Sequence, residues 1–173
     1  MTVGYSWMVG IASLLLIAGC GDAGTGVGPG ALQGSFGLLQ VDGAPLPLAQ
    51  RRIVGIDTAG NTTSSCTEYL TAMRIDVTSS GGATRSESRR LTCDGSADVT
   101  SLSVESGTVS STGDGWRLDF TAADLAVTTH YYGRLDGVTL TIVRRETEAT
   151  TVSPGPVVIP STVSLSQLVF RRL

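Results

Sequence analysis

Apolar and polar residues alternate along most of this chain in short runs, and the alternation predicts strands. Trp116, Leu118 and Phe120 fall on one face, with Arg117, Asp119 and Thr121 on the other, the two-residue period of a half-buried strand. The next run sets Val127, Thr129, Tyr131 and Gly133 against Thr128, His130, Tyr132 and Arg134. It turns at Asp136-Gly137 into Val138, Leu140 and Ile142, the clearest hairpin signal in the sequence. From Cys66 to Thr78, Tyr69, Thr71, Met73, Ile75 and Val77 share one face and Glu68, Arg74 and Asp76 the other. Further strands are expected over Ser35 to Val41, closed by the tight-turn dipeptide Asp42-Gly43, and over Arg52 to Asp57, Val99 to Ser110 and Val163 to Arg172. Ala44 to Leu48 holds Pro45 and Pro47, which cannot donate to a ladder, so it reads as a loop or an edge. Thr84 to Cys93 has almost no apolar face and reads as a solvent-facing strand. Outside the N-terminal segment only Thr121 to Ala126 reads as helical. Residues 145–162 carry three prolines and read as a long surface loop, the expected contact surface. About eight short strands separated by turns predict an all-β fold, either an antiparallel up-and-down barrel or a two-sheet sandwich.

The N-terminus breaks the alternation. Met8 to Ala18 is an uncharged apolar run of 11 residues, too short for the roughly 20 of a spanning helix and suited to the core of a signal peptide. It leads into Ile17-Ala18-Gly19-Cys20, which resembles the lipobox of bacterial lipoprotein precursors: an aliphatic residue, two small residues and a cysteine. The resemblance implies a diacylglycerol thioether on Cys20, cleavage before it and acylation of the new amine. Met1 to Gly10 has no Lys or Arg, where that family's signal peptides begin with one; either the terminal amine serves, or the start lies upstream. Cys20 to Gly30 holds five glycines and a proline and reads as a flexible tether. The expected organisation is a signal peptide over 1–19, a Gly-rich tether over 20–31 and one β domain over 32–173. The resemblance places the protein in the cell envelope, held to a membrane through the lipid on Cys20. Gly21, where an Asp in enteric-type lipoproteins signals inner-membrane retention, points to the outer membrane if the source has one, and otherwise to the outer face of the plasma membrane.

Composition narrows the chemistry. All 12 basic side chains are arginine, so no Walker A phosphate loop, Schiff-base lysine or Ser-x-x-Lys pair exists in this sequence. A net charge of -3 without a basic cluster lacks the footprint of a nucleic-acid binder. The single histidine, His130, makes a multi-histidine metal centre impossible. We read it as an exposed strand histidine, and Asp119 as part of a solvated face. With no Gly-x-Ser-x-Gly elbow, the chain reads as a non-enzyme without cofactor or metal. Asp94-Gly95-Ser96-Ala97-Asp98 lacks the third acid and distal Glu of a calcium loop and reads as an Asx-rich turn. Asp119 and Asp124 are the only acids near an aromatic cluster that a glycosidase reading has to offer.

With Cys20 lipidated, Cys66 and Cys93 remain as an even pair in an exported, oxidising setting, which predicts a disulfide. The rival is a metal site, which His130 would bring to three ligands at best. Trp116, Phe120, Tyr131, Leu140 and Ile142 read first as core; the sharper alternative is an apolar cavity for a small hydrophobic ligand. We expect a monomer that binds an envelope protein or such a ligand.

The mature part also resembles a family. Gly34-Ser35-Phe36-Gly37-Leu38 leading through Val41-Asp42-Gly43 to Pro45, the Tyr132 to Ile142 run and Leu168-Val169-Phe170-Arg171-Arg172 look like the opening and closing strands of small lipocalin-like lipoproteins of environmental bacteria. That resemblance implies a meander barrel and no assigned activity.

Overall fold

A computed structural model describes residues 29–122, 127–149 and 162–173; Cys20, Asp124, the signal segment and most of the tether and of the expected loop lie outside them. The chain forms eleven strands: β1 (Gly34–Val41), β2 (Ala44–Pro45), β3 (Leu48–Ile56), β4 (Thr62–Val77), β5 (Gly82–Cys93), β6 (Val99–Thr112), β7 (Gly115–Ala122), β8 (Val127–Asp136), β9 (Thr139–Ala149), β10 (Thr162–Ser164) and β11 (Leu168–Arg172). Strands β4 to β9 run as a meander, β11 follows β9, β1 follows β11, and β1 returns to β4. The result is a closed, antiparallel, eight-stranded barrel, the all-β fold expected; the sandwich alternative falls away.

Closure follows from the alternation. Phe36, Ile75, Leu118, Phe120, Leu140, Ile142 and Phe170 have no solvent exposure, and all turn inward on their strands. Fully burying one such side chain is worth about 1.5–3 kcal/mol. Leu32, just ahead of β1, is also fully buried and belongs to the same core cluster. The Asp42-Gly43 turn has positive φ at both residues, as a two-residue hairpin of this kind requires. Asp42 also ties this turn to the segment before β11, its Oδ1 accepting from the Gln167 amide at 2.6 Å.

Several segments depart from the expected pattern. A bulge in β4 between Leu70 and Ala72 shifts the face, so that Leu70, Met73, Ile75 and Val77 point in, while Tyr69 lies on the opposite face under the Arg90 guanidinium, 5.4 Å from its ring centre. β5 is not solvent-facing: Ala83 and Glu87 are buried, and Arg85 and Arg89 share their inward parity. Strand β9 continues through Ala149, where a loop is expected from residue 145, and the stretch from Thr162 to Arg172 divides into two strands instead of one. Thr121 and Ala122 belong to β7, not to a helix.

The seam that closes the barrel is locked by polar groups. Ser35 of β1 stands directly opposite Asp76 of β4; the Ser35 hydroxyl donates to Asp76 Oδ1, and Arg74 Nε donates to the same oxygen at 2.8 Å. Burial pushes the Asp76 carboxyl up, but the hydrogen bonds from Arg74 and Ser35 outweigh it and hold it below the ordinary carboxylate value. A depressed carboxyl contributes stability above its unfolded value, near pH 4, and loses it as pH falls through the folded value. The urea midpoint is therefore expected to drop between about pH 5 and pH 2.5. The drop should be shallower in Asp76→Asn, and an equal drop in that variant would remove the seam as its source.

Candidate functional site

The two ends of the barrel are built differently. At one end β1 pairs with the C-terminal half of β4 and β11 with the N-terminal half of β9. At the other, β3 takes over on β4, from Leu48 opposite Leu70 to Ile56 opposite Thr62, and β10 takes over on β9, with Ser164 opposite Arg145. Among the described residues β3 and β10 pair only with β4 and β9, so this end is a mouth between two half-length strands.

A cavity of about 120 Å³ lies there. Its apolar floor is Val41, Leu70, Met73 and Leu168. Its polar wall is Gln50 of β3, Glu87 and Arg89 of β5, Arg145 of β9, and Ser164 and Ser166 from β10 and the link that follows it. Beneath and beside it the inward faces of β3 to β6 carry a chain of paired charges. Arg51 meets Glu68 at 2.7 Å, Arg89 Nη1 meets Glu68 at 3.1 Å and Arg89 Nε pairs with Glu87, and Arg85 meets Glu105 at 2.7 Å. Arg85 also donates to the Tyr131 hydroxyl and stacks its guanidinium over the Phe120 and Tyr131 rings, at 5.7 and 5.4 Å from their centres. Burial would lower the Arg85 pKa, yet Tyr131, Glu105 and Glu87 outweigh it and raise the value, so this guanidinium is permanently charged inside the barrel. Burial is also the main cause that pushes the Tyr131 hydroxyl up. Sequence reasoning did not single out Arg85, Glu87, Arg89 or Arg145. The signal available was the period-two charge series Arg85, Glu87, Arg89, with signs that alternate along one face.

The residues singled out from sequence sort as follows. Phe120, Leu140 and Ile142 are fully buried, Tyr131 and Trp116 nearly so, and none of the five lines the mouth cavity. They pack the barrel interior, Phe120 edge-on to Tyr131 with ring centres 5.8 Å apart. Trp116 also borders a separate hollow, which Tyr132, Arg134 and Arg144 line from the outward face of β8 and β9.

Cys66 and Cys93 stand directly opposite in β4 and β5 and form a disulfide, Cα atoms 4.0 Å apart. It clasps the projecting ends of these two strands beside the mouth. Reduction is expected to lower the unfolding free energy by about 3.5 kcal/mol on the chain-entropy estimate for a loop of this length. Urea unfolding with and without reductant checks this; coincident curves would contradict it.

His130 is not exposed: it is buried, only 5% accessible, on the outer face of β8. Its Nδ1 lies 2.6 Å from Asp119 Oδ1, and Arg117 donates to the same carboxylate at 2.7 Å. Asp119 is thus an orienting partner and not merely part of a solvated face. A general-base role needs a nucleophile at Nε2, and among the described residues that atom has no hydrogen-bond partner, with Glu148 at 3.4 Å. Among the described residues no cluster of three His, Cys, Asp or Glu side chains is spaced to hold a metal ion. Asp94 to Ser96 form a tight turn, the Ser96 amide bonding to the Cys93 carbonyl at 3.3 Å. No family model matches this sequence, and comparison with curated proteins and with solved structures returns no match.

Proposed function

We propose that this protein is an exported envelope lipoprotein, anchored through lipid on Cys20, whose barrel is a non-enzymatic binding module that takes a small ligand at the mouth between β3 and β10. The observation that carries the reading is the contrast between the two parts of the interior. Most of the barrel is filled by its own aromatic and aliphatic side chains, while the mouth keeps a cavity with an apolar floor and a charged wall. Ligand sites combine these two features, an apolar body and a few placed polar groups. The filled interior speaks against a carrier that swallows a large hydrophobic molecule. The Cys66–Cys93 bridge fits an oxidising compartment, as the lipobox-like Ile17-Ala18-Gly19-Cys20 demands. The anchoring membrane is then the outer membrane of a two-membrane cell, or the outer face of the plasma membrane in a cell with one.

The address is tested by Cys20→Ala. This variant is expected to move to the soluble fraction and to take up no labelled palmitate; continued labelling would overturn the anchor. Binding is tested by native mass spectrometry of protein released from the envelope. A bound small molecule is expected, and a mass equal to the bare lipidated chain would favour binding through loops over a packed barrel.

A further inference from the structure

We infer that the mouth cavity takes the carboxylate of a short acyl chain, with Arg145 receiving the charge; this rests on the mouth reading above and names its ligand class. Four guanidinium groups share the inward parity of the strands around the open end: Arg51 opposite Glu68, Arg85 and Arg89 on β5, and Arg145 opposite Tyr131. Three carboxylates share it, Glu68, Glu87 and Glu105, and each is taken by Arg51, Arg85 or Arg89. Arg145 is the surplus cation: among the described residues it makes no ion pair, yet it lines the cavity with Ser164 directly opposite it in the ladder. A guanidinium at the edge of a cavity and without a counter-ion favours an anionic guest, and its planar fork matches a carboxylate in particular. The Ser164 hydroxyl donates to Ser166 Oγ at 3.3 Å, which leaves the Ser166 hydroxyl on the same wall as a further donor.

The rest of the cavity sets the body of the guest. Val41, Leu70, Met73 and Leu168 offer no polar atom from their side chains, so the end remote from the charge is apolar. At about 120 Å³ the space fits a short chain, and the hollow of about 260 Å³ that adjoins it at Glu87 and Arg89 is lined mainly by charged groups, Arg85 and Glu105 among them, and offers no apolar path for a longer one. An amine at the same place would meet Arg145 as a like charge, and a neutral alcohol would forgo the charge-assisted bonds.

Calorimetric titration of the purified protein with hexanoate and with 1-hexanol tests this. Hexanoate is expected to bind at least about tenfold more tightly than 1-hexanol, the margin a charge-assisted pair supplies. Arg145→Gln should remove that advantage, while Arg134→Gln, an exposed arginine of β8 that donates to the Asp114 carbonyl, should keep it. Equal affinity for the two compounds, or hexanoate binding unchanged in Arg145→Gln, would overturn the carboxylate inference and leave the mouth as a site. Binding of neither compound would overturn the inference and count against the mouth reading itself. Arg145 is exposed, and an unchanged thermal midpoint for its variant separates loss of binding from loss of fold.

Discussion

Arg85→Met is expected to destabilise the barrel by about 3–5 kcal/mol, the cost of leaving a buried charge without its partner. Arg85 is 12% exposed and its partner Glu105 18%, so removing the guanidinium strands a carboxylate that water reaches poorly. It also leaves the Tyr131 hydroxyl, on a residue 1% exposed, without the donor it has in the native barrel, and strips a cation from the Phe120 and Tyr131 rings. The substitution keeps an unbranched apolar stem, so the loss reports charge more than volume. The double variant Arg85→Met with Glu105→Leu should recover a large part of it, because an ion pair replaced as a whole by apolar groups is often neutral. Chemical unfolding of the three variants yields the coupling energy; a double variant no better than the single one would show that the pair is not the unit that matters.

Phe120→Ala is expected to cost a further about 3–5 kcal/mol, as for other fully buried aromatic residues. Phe120 sits where the apolar interior meets the charged end. It packs edge-on to Tyr131, lies under Arg85 and covers Gly107 of β6, whose missing Cβ would come within 2.7 Å of the Phe120 ring. The Asp119 carbonyl of β7 comes closer still to that Cβ position, so the β7 backbone together with the ring requires glycine here. Because Phe120 and Arg85 touch the same rings, their effects should be less than additive. A loss under 1 kcal/mol by urea unfolding would contradict this placement.

How far the sequence alone reveals this protein depends on the strand. In β7, β8 and the start of β9, apolar and polar residues alternate without interruption, and Trp116, Leu118, Phe120, Tyr131, Leu140 and Ile142 all face inward as the pattern requires. The bulge at Leu70 to Ala72 inverts the parity of β4, and no periodicity announces such an inserted residue. β5 misleads for a different reason. Hydrophobic patterning equates charge with solvent, but the guanidinium and carboxylate groups of Arg85, Glu87, Arg89, Glu68 and Glu105 satisfy one another inside the mouth. That pairing depends on strand neighbours far apart in sequence. The same holds for His130: its burial against Asp119 follows from the β7–β8 register, which a helical reading of Thr121 to Ala126 obscures. The half-length partners β3 and β10, which create the mouth, are legible only once the barrel is closed.

The mouth is the proposed binding site, and Met73 gives a direct view of it. It lines the cavity floor and is one of three methionines, the others being Met1 and Met8 in the segment expected to be cleaved. With the methionine methyl groups labelled with carbon-13, the Met73 signal is expected to shift progressively and saturably as hexanoate is added to the purified protein. A Met73 signal that stays fixed while hexanoate binds by calorimetry would place the ligand elsewhere and contradict the account.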